Sequence, residues 1–336
     1  MLVVRLSSLG DVLFAVPAVQ ALIESRRFGR VAWLVEDRAA ALLSGLQGLD
    51  ELVVFPRTRP AQWAGHFLRL ARRHDDVVLD LQGTLKTRLQ LLPLRAPRRV
   101  GFDSSLARSG AERGLTERVT PPSWAQHRVA QGLALVAALG VPVRRPPPRP
   151  TLPLQPRSRE GSAQFLAGLP GEGPVIVLHP GTSAFGELKR WAPERFAALA
   201  LELRRRADAR LVLTGSPTEE PLLAEIVSRA PGVATRAPRG TLADLQALLA
   251  QADLCVAADS LPLHLANALG TPVVGLYGPK DPAVTGPFFD RATVVRAGVA
   301  CSPCTLRRCG DRICMERLAV ADVAEAALAL LADGRR

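Results

Sequence analysis

Three segments of this 336-residue chain carry the residue types that proton transfer and anion binding require, each where a short apolar run gives way to a helical pattern. The first is Arg5-Leu6-Ser7-Ser8-Leu9-Gly10-Asp11. Its small residues suit a tight strand-to-helix turn. Asp11 falls in the first helical turn, where the positive end of the helix dipole stabilises a carboxylate. A functional carboxylate and a plain N-capping acid both fit that position. The second segment runs His179-Pro180-Gly181-Thr182-Ser183 and on to Lys189-Arg190-Trp191. Backbone N–H groups and hydroxyls in such a turn, with two cations beside them, are what a diphosphate needs. The third, Ala258-Asp259-Ser260-Leu261-Pro262-Leu263-His264, puts Asp and Ser at a helix start whose free amides face an anion. His264 lies within a turn or two of the same ligand, and equally fits a structural role. A loop rich in Gly and Pro, 275–282, follows the next strand at the same edge.

The elements that must hold these segments alternate. Residues 2–6, 31–35, 52–55 and 77–81 read as short buried strands, with helices over about 12–26 and 124–139. Residues 141–156 hold seven prolines and no apolar period, which describes a stiff, extended connector and a domain boundary. Beyond it, strands at 175–178, 211–213, 254–257 and 273–276 alternate with helices near 193–206, 218–229 and 241–250, and 319–332 forms a terminal helix. This pattern predicts the α/β class with doubly wound parallel sheets. The expected domains are 1–150 and 157–336, with the terminal helix free to pack back on the first. Two Rossmann-like lobes place a ligand in the cleft between them, at the carboxyl ends of the strands. No G-x-G-x-x-G follows the first strand, so the dinucleotide fingerprint of a dehydrogenase is absent.

The formal net charge is +12 and it is concentrated: residues 86–159 hold 14 basic side chains against Asp103, Glu112 and Glu117. Such a field draws nucleic acid, an anionic membrane surface or a polyanionic substrate, whereas an arginine-rich solvated surface is the plain alternative. Aromatic residues make up only 4% of the chain, too few for a base-stacking platform, and nucleic acid is not the expected partner. There are 40 Arg and three Lys, at 86, 189 and 280, each inside a motif-like segment. An ammonium is a point charge that a guanidinium does not replace geometrically. Asp11 interrupts the apolar start and no small-residue cleavage site follows, which argues against a signal peptide. The longest uncharged run, 260–279, is broken by Pro and Gly and cannot be a membrane helix. The expectation is a cytoplasmic protein with room for peripheral contact at the cytoplasmic face of the inner membrane.

Six motifs in order resemble glycosyltransferase family 9, the ADP-heptose:lipopolysaccharide heptosyltransferases, over essentially the whole chain. They are S-S-L-G-D-V at 7–12, D-L-Q-G-x-x-K at 80–86, P-G-T…K-R-W at 180–191, T-G-S-P-T-E at 214–219, D-S-x-x-x-H-L-A-N-A-L-G at 259–270 and G-L-Y-G-P-K-D-P at 275–282. The opening R-L-S-S-L-G-D-V and the W-L-V-E at 33–36 look more like heptosyltransferase I, which loads Kdo, than heptosyltransferase II. The resemblance implies a GT-B architecture, two Rossmann-like domains facing across a cleft, the first binding acceptor and the second nucleotide sugar. It implies an inverting, metal-independent transfer of heptose from an ADP-sugar donor to an anionic glycolipid acceptor of the Kdo-lipid A type, with no cofactor. Asp11 is then the general base for the acceptor hydroxyl, and Lys189 neutralises the leaving diphosphate. On the donor side Thr182 and Ser183 hydrogen-bond the diphosphate and Glu219 contacts the nucleoside. Asp259 holds the sugar or its phosphate, with Ser260 and His264 beside the phosphates. On the acceptor side stand Ser8, Gly10, Lys86, Arg88 and Arg99, with Arg98 beside them. The chain departs from the family at Leu261, where Gly is usual. That departure leaves open another donor or acceptor, or a catalytically silent glycan- or nucleotide-binding relative. Four cysteines, Cys301-x2-Cys304-x4-Cys309-x4-Cys314, have a spacing that fits zinc or an iron–sulfur cluster. Similar cysteines recur in the family without a metal in its mechanism, so reduced or locally paired cysteines are the leading expectation and a structural metal the other.

Overall fold

The computed structural model of the chain describes all residues except 183, 305, 307 and 334–336, with the side chains of 184 and 185 also outside the description. The chain divides into two compact units, Met1–Pro153 and the part from Leu154 onward.

The first unit opens with β1 (Leu2–Val4), α1 (Leu9–Glu24), β2 (Ala32–Glu36), α2 (Asp37–Leu43) and β3 (Glu51–Phe55). It continues with α3 (Trp63–Ala71), β4 (Val77–Asp80), α4 (Leu85–Leu91), β5 (Arg98–Phe102), β6 (Glu117–Val119) and α5 (Arg128–Ala138). The six strands form one parallel sheet in the order β3-β2-β1-β4-β5-β6. Helices cover a parallel sheet on both faces, so its central strands must be apolar throughout. Leu2, Val3 and Val4 accordingly have no exposure at all.

The second unit begins with α6 (Pro156–Ala167), β7 (Val175–His179), α7 (Pro193–Ala207), β8 (Arg210–Leu213), α8 (Glu220–Arg229) and β9 (Ala234–Arg236). Then come α9 (Leu242–Ala250), β10 (Leu254–Ala258), α10 (Leu261–Leu269), β11 (Val273–Leu276) and α11 (Pro282–Thr285). The unit ends with β12 (Ala292–Val295), α12 (Ile313–Glu316) and α13 (Val320–Asp333). Its parallel sheet runs β12-β11-β10-β7-β8-β9, the same topology when counted within the unit. Trp191, Phe196, Leu211 and Leu254 anchor its core, and Val323, Ala324 and Ala327 of α13 pack into that same core. The terminal helix thus lies on its own unit, against α7 and strands β10–β12.

In both sheets the strand order reverses at one place, between β1 and β4 and between β7 and β10. Loops diverge there and leave a crevice at the carboxyl edge, where doubly wound sheets bind ligands. The sequence reading differs from this fold at several elements. Strands β5, β6, β9 and β12 were not read from it. The helix expected over 124–139 begins only at Arg128, because the His127 imidazole Nδ1 accepts the Val129 N–H at 3.1 Å and caps it there.

Candidate active site

At the first switch point the turn after β1 is tied to the turn after β4. Gln82 Oε1 accepts the N–H groups of Leu6 (2.8 Å) and Ser7 (3.2 Å). Asp80, buried at the end of β4, accepts from the Gln82 and Gly83 amides and from the Thr87 hydroxyl, and burial pushes its carboxyl up. Asp11 sits in the first turn of α1. Its Oδ2 accepts the Ser8 hydroxyl at 3.0 Å and the Ser8 N–H at 3.3 Å, while Oδ1 lies 2.9 Å from Arg5 Nη2 and 3.7 Å from Arg128 Nη1. Burial alone would raise this carboxyl. Arg5, Arg128 and the two Ser8 donors outweigh it and hold Asp11 below the usual carboxylate range. With its side chain about one-quarter exposed, Asp11 is an ionised, accessible acceptor for a proton. Gly10 lies beside it in the same turn. Lys86 approaches from α4, where its ammonium donates to Ser7 Oγ (2.9 Å) and pairs with the buried Glu36 carboxylate at the end of β2 (2.6 Å).

The second switch point holds the complementary charge. The Lys189 ammonium donates to the Asp259 main-chain carbonyl and pairs with Asp259 Oδ2 at 3.0 Å. The other carboxylate oxygen, Oδ1, takes His264 Nε2 (3.1 Å) and the Tyr277 hydroxyl (3.3 Å), and that hydroxyl also donates to the Thr285 carbonyl. Burial opposes ionisation of Asp259, but His264 and Lys189 together hold its carboxyl down at about 2. Ser260 holds the N-cap position of α10 with its hydroxyl donating to the Ala258 carbonyl (3.1 Å), and the helix starts at Leu261 with Pro262 in its first turn and closes at Gly270 with φ +93°. Leu261 is half-buried. After β7, the Thr182 hydroxyl donates to the Gly186 carbonyl at 2.9 Å and fixes the turn. Ser183 lies outside the described residues. Glu219 is buried, its Oε2 accepting the Ser216 N–H (2.7 Å) and hydroxyl (2.8 Å). A Cβ at Gly181 would collide with that carboxylate, so glycine lets the backbone of the turn lie against Glu219.

His179, at the end of β7, is buried with Nδ1 3.0 Å from Thr214 Oγ1, and burial drives its pKa down to about 4 although Glu219 opposes this. A folded pKa below the unfolded value means the unfolded chain binds the extra proton first. The stability from keeping His179 neutral is therefore complete above about pH 6.5 and is lost as pH falls towards 4, roughly 3 kcal/mol in all. Urea titrations between pH 7 and 4 should show this loss, and His179→Asn should flatten the slope. An unchanged slope would refute the assignment.

The family model for glycosyltransferase family 9 (heptosyltransferase) matches residues 63–312, well over half of the chain. The chain belongs to glycosyltransferase family 9. It is 26% identical over 319 residues to lipopolysaccharide heptosyltransferase 1 of Pseudomonas aeruginosa, covering 92% of this chain and 86% of that protein. Among solved structures it resembles the family 9 glycosyltransferase from Veillonella parvula, with TM-score 0.83 and 20% identity over 99% of this chain and 97% of that one. E. coli heptosyltransferase WaaC with ADP gives TM-score 0.73 and 23% identity over 96% and 97%. The fold is that of the GT-B heptosyltransferases, and the chain is a glycosyltransferase of the heptosyltransferase family.

Within this family 9 chain, not every residue expected at the site is drawn to it. Arg99 lies near the amino end of β5, with its guanidinium on the Leu94 carbonyl, and neighbouring Arg98 pairs with Glu117. Arg88 points to the Gly110 carbonyl. Arg5, Arg128, Gln82 and Tyr277 are members that the sequence reading gave no role. Arg5, Gln82 and Tyr277 lie inside the motifs, but nothing local marks Arg128, 117 residues from Asp11. The four clustered cysteines are free thiols. Among the described residues no three His, Cys, Asp or Glu side chains are grouped to hold a metal. No helix among them is long and apolar enough to cross a membrane.

Proposed function

We propose that this enzyme transfers heptose from ADP-heptose to the Kdo region of lipid A, with inversion, at the cytoplasmic face of the inner membrane. The first unit reads the acceptor and the second the nucleotide sugar. The Asp11 carboxylate takes the proton of the acceptor hydroxyl as its oxygen bonds the anomeric carbon. The bond from that carbon to the diphosphate breaks on the opposite side, and ADP leaves with the electron pair. One displacement inverts the configuration. Lys189 and the amides at the start of α10 balance the charge that develops on the leaving group, so the scheme needs no metal. Thr182 and Ser183 hydrogen-bond the diphosphate, Glu219 takes the nucleoside, and Ser260 and His264 stand with Asp259 beside the phosphates. Ser8, Gly10 and Lys86 line the acceptor turn, whereas Arg88 and Arg99 would act from farther off.

The observation that carries this reading is an ionised carboxylate at one switch point and a carboxylate-anchored ammonium at the other. Thermal unfolding with ADP, UDP, GDP and their sugars should show the largest upward shift with ADP and ADP-heptose. Product analysis with ADP-heptose and Kdo-lipid A should then yield a heptosylated lipid of inverted anomeric configuration. A preference for another nucleotide would overturn the donor, and no nucleotide response at all would leave a binding module.

A further inference from the structure

Leu85, Leu89 and Leu92, at the spacing i, i+4, i+7, form one stripe on α4 and are 49%, 48% and 62% exposed. The opposite face of α4 is the one that folds the protein: Thr87, Gln90 and Leu91 are buried there. Gln90 Oε1 lies 2.8 Å from His66 Nε2 of α3, a single hydrogen bond that ties the two helices. Single exposed leucines are ordinary, but three in register on one helix are not. The chain on either side of the stripe is basic. Neither 56–74 nor 81–102 contains an acidic residue, and Arg69, Arg72 and Arg95 are exposed. None of these three forms an ion pair among the described residues. An apolar stripe flanked by unpaired cations is the pattern of an element that lies in the interface of an anionic bilayer. The stripe also begins next to Lys86, whose ammonium is 2.9 Å from Ser7 Oγ in the turn that leads to Asp11. We infer that the exposed face of α4, with the arginines of α3 and of the turn after α4, docks the first unit on an anionic lipid surface.

This inference rests on the proposed lipid-linked acceptor, because it places the bilayer beside the turn that would receive that acceptor's sugar. A second copy of this chain, with a formal net charge of +12, is a poor electrostatic match for that face. The test is sedimentation with vesicles of phosphatidylcholine alone or with added phosphatidylglycerol, without substrate. The protein should bind the anionic vesicles, release them as salt rises, and bind neutral ones weakly. The combined Leu85→Gln, Leu89→Gln, Leu92→Gln variant should lose affinity on the order of tenfold or more. Its unfolding temperature should be retained, since these side chains are outside the core. Arg69→Gln, Arg72→Gln and Arg95→Gln together should lower binding to anionic vesicles alone, which tests the surface even if the leucine variant fails to fold. No binding by the wild type, or equal binding by both variants, would overturn the inference. So would a dimer that the leucine substitutions dissolve without any vesicle binding. Transfer to a deacylated, water-soluble acceptor should be equal in wild type and leucine variant. If the wild type fails that assay, the proposed function falls while the vesicle result stands on its own.

Discussion

Asp11→Asn is expected to lower kcat for heptosyl transfer by about 10²–10⁴-fold while changing ADP affinity less than about twofold. The choice of Asn follows from the electrostatics. Arg5 is buried, and its pKa is lowered by that burial, with Asp11 the strongest opposing influence. Asp11→Ala would leave this guanidinium short of a partner and mix a folding defect into the kinetics. Asn also removes the charge that faces Arg5, but it keeps the shape, and its carbonyl can take over one of the carboxylate's hydrogen bonds, from Arg5 or from Ser8. What it cannot do is take a proton. The low pKa also bears on mechanism. A weakly basic carboxylate cannot strip a free hydroxyl, so the proton must move late, when bonding to the anomeric carbon has made the acceptor oxygen acidic. The base form persists down to below the ordinary carboxylate range, since Arg5 and Arg128 favour it. The pH profile of kcat/KM should therefore show no Asp11 limb above about pH 5. Steady-state kinetics with calorimetry of ADP binding would check both halves. Transfer surviving in the Asn variant would put the base elsewhere.

The parts of this fold that were legible in the sequence are those where local and global demands agree. Strands β1, β4, β7 and β10 lie at the centres of their sheets, so burial on both faces forces continuous apolar runs, each ending in a small-residue turn. Strands β6, β9 and β12 are edge strands of three or four residues, reading Glu-Arg-Val, Ala-Thr-Arg and Ala-Thr-Val-Val, and carry too little apolar pattern to declare themselves. Strand β5 opens with Arg98-Arg99 and reads as charge. The basic stretch was legible as a field but not as a set of contacts. Arg88 and Arg99 are occupied by backbone carbonyls and Arg98 by Glu117, while the cation that reaches Asp11 is Arg128. Which of fourteen cations meets which carboxylate is decided by chain topology, over separations no local pattern encodes.

Topology also decides what Lys189 is worth. Replacing Lys189 by Met is expected to weaken ADP binding by tens to over a hundredfold, more than one charge-assisted hydrogen bond of about 1.5–3 kcal/mol need cost at its lower end. The reason is what remains. Asp259 keeps its charge, because His264 still donates to it, and without the ammonium that carboxylate faces the incoming diphosphate uncompensated. Attraction is not merely lost; repulsion takes its place. Asp259→Asn should therefore rescue part of the defect: the Lys189→Met, Asp259→Asn double variant is expected to bind ADP more tightly than Lys189→Met alone, a coupling that a double-mutant cycle isolates. Because His264 and Lys189 together hold the Asp259 carboxyl at about 2, the wild-type affinity for ADP should not vary through Asp259 between pH 5 and 9. Calorimetric titration of the four proteins with ADP decides the matter. Additive losses would mean that lysine and aspartate act independently, and unchanged affinity in Lys189→Met would remove the cation from the donor site altogether.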